Sequence, residues 1–216
     1  MYLHGVLEFL KDYPGMSIGP SREGELILKG NFRFKANLRN GPVIEDSYTL
    51  EISITDRLPL VLPSVKETGN KIPRDGNHHV NPDHTLCLGS PLRLLGKINT
   101  KPNLIGFAEN CLVPYLYAIS HKIQNGGDFI FGELAHGEKG AIDDYIDLFG
   151  LKNREQVVNA INLLGIKKRL ANKKPCPCGC GKRLGACSFH FKLNNFRKMA
   201  PKSWFSAHAK NIRDGM

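Results

Sequence analysis

Two stretches with a strict two-residue period constrain this chain more than any other feature. In residues 32–39, Phe32, Phe34, Ala36 and Leu38 alternate with Arg33, Lys35, Asn37 and Arg39, and in residues 48–55, Tyr48, Leu50, Ile52 and Ile54 alternate with Thr49, Glu51, Ser53 and Thr55. Successive side chains of a strand point to opposite faces, so each stretch predicts a half-buried strand with one apolar and one wet side. Asn40-Gly41-Pro42 lies between them and reads as the turn of an antiparallel pair.

The neighbouring segments extend this nucleus. Residues 25–29 read as a strand turned at Gly30-Asn31. Residues 58–65 read as an edge strand or extended arm, because Pro59 and Pro63 remove ladder donors. Upstream, Leu3, Val6, Leu7 and Leu10 fall at helical spacing before Pro14-Gly15 and predict a short helix. Downstream, Asn99-Thr100-Lys101-Pro102 supplies a helix start. An apolar stripe from Leu104 through Phe107, Cys111, Tyr115 and Ile119 to Ile123 then runs to Gly126-Gly127, with a kink expected at Pro114. Cys111 lies on that stripe and reads as a small buried hydrophobe.

Two further helices follow. One carries Ile142, Tyr145, Ile146 and Phe149 on one face. The other is capped by Asn153 with Gln156 three residues on, and buries Val157, Val158, Ile161 and Leu164. The expected fold class is therefore α+β: an antiparallel four-strand meander with flanking helices over residues 1–125, a helical extension over 126–172, and a small C-terminal module over 173–216.

The net charge of +10 is concentrated in that last part. From Ile166 to Met216 there are thirteen of the thirty Lys and Arg and one acid, Asp214, so this segment carries +12 and the rest of the chain −2. Four of the six cysteines, Cys176, Cys178, Cys180 and Cys187, sit in the same segment. Clustered thiols in a basic, turn-rich stretch with too few apolar residues to fold unaided predict a metal, with zinc in a tetrahedron of sulfur or imidazole ligands. Lys182, Arg183, Lys192, Arg197 and Lys198 offer contact with nucleic acid or an acidic protein, or simply a solvated surface. Trp204 and Phe205 are read as stacking on a base or docking on the body. No membrane-length apolar run and no basic, small-residue leader is present, so a soluble cytoplasmic protein is expected.

Between sheet and helices lies the loop from Pro73 to Gly89, which packs His78, His79, His84, Asn77, Asn81, Asp75, Asp83 and Cys87 into a stretch too rich in Pro, Gly and polar groups to be core. Leu86 and Leu88 read as buried, which turns the Cys87 side chain towards the polar loop. Composition alone leaves two readings open, a buried strand-end cysteine and a thiol used for covalent chemistry. Glu133 and His136, in the glycine-rich segment 129–137, are candidates for lining the same cleft.

The order of elements shifts the balance between them. A first helix, a meander, a proline-bearing arm, a His-x-Asn loop, a Leu-Cys-Leu segment and a long helix together resemble the ubiquitin-conjugating-enzyme family. His79-Val80-Asn81 is similar to that family's His-Pro-Asn triplet, and Leu86-Cys87-Leu88 to its Ile-Cys-Leu active-site segment. The triplet lies about two residues nearer the cysteine than in eukaryotic members, Val80 replaces proline, and the tryptophan after the cysteine is absent, which points to a divergent bacterial or phage relative. The resemblance implies that Cys87 carries a ubiquitin-like protein as a thioester received from an activating enzyme, and that a lysine amine then takes the acyl group. It also implies that Asn81 holds the loop or donates to the oxyanion and that His79 braces the loop. His84 and Asp83 are adjacent enough to assist deprotonation.

The tail, reading Cys176-Pro-Cys178-Gly-Cys180-Gly-Lys-Arg, resembles the SEC-C zinc motif. That resemblance implies Cys176, Cys178 and Cys187 as ligands. Ser188 stands where the last ligand is expected, and His190 is taken as the fourth, with Cys180 as its competitor. The alternatives to thioester transfer are an inert adaptor of the same fold, whose zinc tail binds the partner, and a cysteine hydrolase pairing Cys87 with His79 or His136.

Overall fold

The computed structural model describes residues 5–21, 23–38, 41–130 and 137–214, and the chain divides into two compact units, 1–133 and 134–216. In the first, β2 (Glu25–Ala36) and β3 (Ile44–Thr55) pair antiparallel along their whole lengths, from Glu25↔Thr55 to Ala36↔Ile44. Leu28, Phe32 and Phe34 on β2 and Tyr48, Leu50, Ile52 and Ile54 on β3 are buried. Lys29, Arg33 and Lys35 face water and pair with Glu51 or Glu45. The two-residue period thus sorts the chain into a core face and a wet face.

The sheet is a four-stranded meander with its strands in chain order, but two of them differ from expectation. Gly30 does not turn the chain; β2 passes straight through it, opposite Leu50. The short strand β1 (Met16–Ile18) crosses at that point, and a Cβ on Gly30, whose φ is +144°, would run into the Gly15 carbonyl oxygen. Close approach, not a turn, explains this glycine. The last strand, β4 (Ser64–Glu67), begins only after Pro63, and residues 56–60 form turns. Two prolines within the expected strand leave no continuous row of donors, so pairing waits until they are past.

Helix α1 (Val6–Asp12) lays Val6 and Phe9 on the core, and Tyr13, just beyond it, stacks on Phe32 at 4.3 Å. Helix α2 (Pro91–Ile98) buries Leu92, Leu94, Leu95 and Ile98 and was not anticipated, although Ser90-Pro91 is a helix-start pair. The long apolar stripe is helical but not uniform. Asn103 caps α3 (Leu104–Phe107) by accepting the Gly106 N–H at 2.9 Å, a π-turn covers Ala108–Leu112, and α4 (Val113–Asn125) completes it. Pro114 lacks the N–H that would bond Asn110 and its ring crowds that carbonyl; the widened turn just before it absorbs the misfit where a kink was expected. Cys111 is buried there, and burial pushes its thiol up to about 11.

A polar chain ties α4 to the sheet. Ser120 Oγ donates to Asp46 Oδ2 at 2.8 Å, which leaves it to accept the Tyr48 hydroxyl at 2.7 Å. Burial tends to raise the Asp46 carboxyl, but Lys71 and Ser120 bonded to its two oxygens outweigh this and hold it below the usual range.

In the second unit, α5 (Gly137–Phe149) buries Ile142, Tyr145 and Phe149. Helix α6 (Arg154–Leu164) starts at Asn153, whose side chain accepts the Gln156 N–H at 3.0 Å while the Gln156 side chain accepts the Lys152 N–H. Of its expected face, Val157, Ile161 and Leu164 are buried and Val158 is half-buried. The chain continues through α7 (Lys168–Ala171), the cysteine turn, α8 (Phe189–Phe196) and α9 (Lys202–Asp214), and α9 packs Phe205, His208, Ala209 and Ile212 against α6. Residues 137–172 and 173–214, read from sequence as extension and tail, therefore share one core. Phe205 lies fully in that core, and Trp204 stacks on His208 at 4.7 Å.

Three cations of this unit are structural. Arg197 donates to the carbonyls of Leu163, Leu164 and Ile166 at the end of α6. Lys192 donates to Phe149 O at the end of α5, and Arg154 to Ile212 O on α9. Each neutralises orphan carbonyls at a helix C-terminus, where the helix dipole favours positive charge. No helix among the described residues is long and apolar enough to cross a membrane.

Candidate active site and candidate metal centre

The polar loop is a small hairpin grafted onto the sheet. Leu86 N–H donates to Val65 O at 2.8 Å and Thr85 pairs with Lys66, so the Thr85–Leu86 segment lies alongside β4. Val80 pairs with Leu86 across the hairpin. The Cys87 N–H donates to His79 O at 2.7 Å and the Asn81 N–H to Thr85 O at 2.8 Å. This register sets Cys87 opposite His79 and Thr85 opposite Asn81, alternating with the Val80–Leu86 pair. Leu86 is buried as expected, whereas Leu88, also expected in the core, is half-buried like Cys87 between them.

Asn81 is held by its side chain: Nδ2 donates to Thr85 Oγ1 at 2.9 Å, and Thr85 Oγ1 in turn donates to Asp83 Oδ1 at 2.6 Å. The Thr85 hydroxyl and backbone N–H keep the Asp83 carboxyl below its ordinary range. His79 is buried, takes a left-handed backbone (φ +53°), and meets the Phe129 ring edge-on at 4.5 Å. His84 also has a left-handed backbone and sits exposed at the hairpin tip, its N–H on Asn81 O at 2.8 Å. The structure thus gathers His79, Asn81 and Cys87 in one paired register and leaves His84 at the turn. Glu133 and His136 lie outside the described residues.

One residue was missed. Tyr115, read from sequence only as part of the apolar stripe, donates its hydroxyl to His78 O at 2.8 Å and, more weakly, to His79 O at 3.4 Å. It ties α4 to the carbonyl that also receives the Cys87 N–H. The Cys87 thiol is pushed up by burial, against a smaller lowering effect of the Gly89 N–H, so it is not a standing thiolate at neutral pH.

The second site is the cysteine turn. The Sγ atoms of Cys176, Cys178, Cys180 and Cys187 all lie within 4.8 Å of one another, with 3.2 Å between Cys176 and Cys178 and 3.7 Å between Cys178 and Cys187. Sulfurs about 2.3 Å from a tetrahedral ion stand roughly 3.8 Å apart, so the four thiols fit such an ion. Cys180, the competitor of His190 in the sequence reading, is the fourth member of this group, and His190 is not part of it. Gly179 and Gly181, both with φ near +75°, let the chain double back between ligands, so that three cysteines two residues apart converge. His190 instead keeps Nδ1 on Cys187 O at 2.7 Å and its ring against Phe191. The Phe189 N–H donates to Cys187 Sγ at 3.5 Å, and Cys176 N–H to Lys182 O at 2.9 Å.

Comparison of the chain with family models, with curated proteins and with solved structures gives no match.

Proposed function

We propose that the first unit is a ubiquitin-conjugating-enzyme-like acyl carrier and that Cys87 is its thiol. The Cys87 sulfur attacks the thioester carbonyl of a ubiquitin-like protein held by an activating enzyme; a new C–S bond forms, the old one breaks, and the enzyme's thiol leaves with the proton. A lysine amine then attacks the same carbon, forming an amide and returning the Cys87 thiol.

The observation that carries this reading is the pairing of Cys87 opposite His79 in a hairpin whose Asn81 amide is fixed by Thr85. Asn81 steadies the hairpin and offers an amide N–H to the oxyanion. His79, wedged against Phe129, braces the loop. A thiol raised by burial suits exchange with an already activated acyl group better than attack on an unactivated amide, which favours transfer over hydrolysis. The same burial is the one observation favouring the second reading, an inert adaptor of this fold.

We assign zinc to the second unit's four thiols, in an arrangement like the SEC-C motif, where it would serve as a structural staple. Incubation with an activating enzyme, ATP and candidate ubiquitin-like proteins tests the carrier. The expected product is a conjugate cleaved by reductant and absent in Cys87→Ala, whereas Asn81→Ala still loads but transfers to amines about 10²-fold more slowly. A conjugate indifferent to Cys87→Ala refutes the carrier, and no conjugate with any partner selects the adaptor.

A further inference from the structure

Most of the basic charge of the second unit is not used to hold it together. Lys192, Arg197 and Arg154 cap helices, but the cations around the cysteine turn do not. Lys167, Lys168 and Arg169 flank and begin α7, all exposed, and Lys173 and Lys174 follow it, also exposed. Lys182 and Arg183 are exposed on the return limb of the turn. No acid occurs between Glu155 and Asp214, and none of these seven cations forms an ion pair among the described residues. Seven uncompensated charges on one short segment repel one another, and a fold keeps them together only at a cost in self-repulsion.

The backbone brings the two groups side by side. Pro175 pairs with Arg183, Leu184 N–H donates to Lys174 O at 2.8 Å, and Cys176 N–H donates to Lys182 O. Cys176, Cys178 and Cys180 all lie within the loop that this pairing closes, so an ion on them sets the register in which Lys173 and Lys174 stand beside Lys182 and Arg183. Close by in the chain, α8 begins two residues after Cys187 and presents Phe191, the one exposed Phe, Tyr or Trp ring among the described residues, at 65% exposure.

We propose that this metal-organised cation cluster binds the phosphate backbone of single-stranded nucleic acid, with Phe191 as a stacking platform for a base. Unbroken positive charge matches the regular charge of a phosphodiester chain, and an exposed ring a few residues further along suits an unpaired base. Insertion into a membrane interface would need a broad apolar face. Apart from Phe191, the segment exposes only Leu170 among large apolar side chains.

Fluorescence anisotropy of the full zinc-loaded chain with labelled twenty-nucleotide DNA and RNA strands, and with a duplex, tests this. If five to seven phosphates are contacted, log affinity for the strand falls against log salt with a slope of about −4 to −5. The quadruple variant K173Q/K174Q/K182Q/R183Q should halve that slope and weaken binding at least tenfold, while K210Q/R213Q on α9 changes affinity less than threefold. F191A should lower strand affinity about tenfold and leave duplex affinity alone, and removing zinc with a chelator should reproduce the quadruple variant. The DNA and RNA arms identify which strand is the ligand. Wild-type binding by the quadruple variant, duplex binding as tight as strand binding, indifference to F191A, or equally tight capture by polyglutamate or anionic vesicles would each overturn the proposal.

Discussion

Replacing His208 with Gln should flatten the acid limb of the second unit's stability curve. His208 is buried in α9, with Nε2 2.7 Å from the Tyr145 hydroxyl and the Trp204 ring stacked on its own. Burial pushes its imidazole down to about 4, so the folded unit holds it neutral, with Nε2 sharing a hydrogen bond with the Tyr145 hydroxyl. In the unfolded chain the same imidazole titrates near 6.5. The folded value is the lower one, so the stabilisation is complete above about pH 6.5 and is lost as pH falls towards 4, where the unfolded chain binds a proton that the folded one refuses. At 1.36 kcal/mol per pK unit the full loss is about 3 kcal/mol, of which about 2 kcal/mol falls between pH 7.5 and pH 5.

Trp204 is the chain's single tryptophan, so intrinsic fluorescence follows this unit in urea titrations. Between pH 7.5 and 5 the wild-type chain should lose about 2 kcal/mol more than His208→Gln. Any acid sensitivity of the cysteine centre is common to both and cancels in the comparison. Parallel curves for the two proteins, or a wild type that gains stability on acidification, would refute the reasoning.

Two further outcomes follow from the second unit. Cys180→Ser should weaken zinc binding at least about a hundredfold in competition with a chromophoric chelator, while His190→Ala stays within about threefold, reversing the ranking drawn from the resemblance. Arg197→Met keeps the aliphatic stem but removes donors from three carbonyls at the end of α6. It should destabilise the unit by about 2–4 kcal/mol in urea titrations, with metal content unchanged.

What could be read from residues alone was whatever rests on local period. The alternation in residues 32–38 and 48–55 specified the central pair of strands, and Asn153 with Gln156 marked the start of α6. Strand β1 escaped because three residues carry no period, and Gly30 was misassigned because a glycine marks a turn and a close approach equally well. Helix α2 was legible in Ser90-Pro91 and was overlooked beside the polar loop. The grouping of His79, Asn81 and Cys87 was approached through their order, but their register depends on hydrogen bonds between chain positions eight or fewer apart that no composition encodes. Tyr115 shows the remaining limit: a helical stripe tells which face is buried, not that one hydroxyl on it reaches a loop carbonyl. The place of Cys180 among the four thiols likewise depends on left-handed glycines on either side of it.

The helix ends of the second unit carry a lesson about chain order. The carbonyls that finish α5 and α6 wait for partners that lie roughly thirty to forty residues later, at Lys192 and Arg197, and α6 finds its packing surface only in α9. A nascent chain that has emerged only as far as Lys173 therefore holds two helices with open ends and an uncovered apolar side. This half of the protein is sealed only when its later helices have been made, and removing residues 192–214 would unseat the helices that precede them.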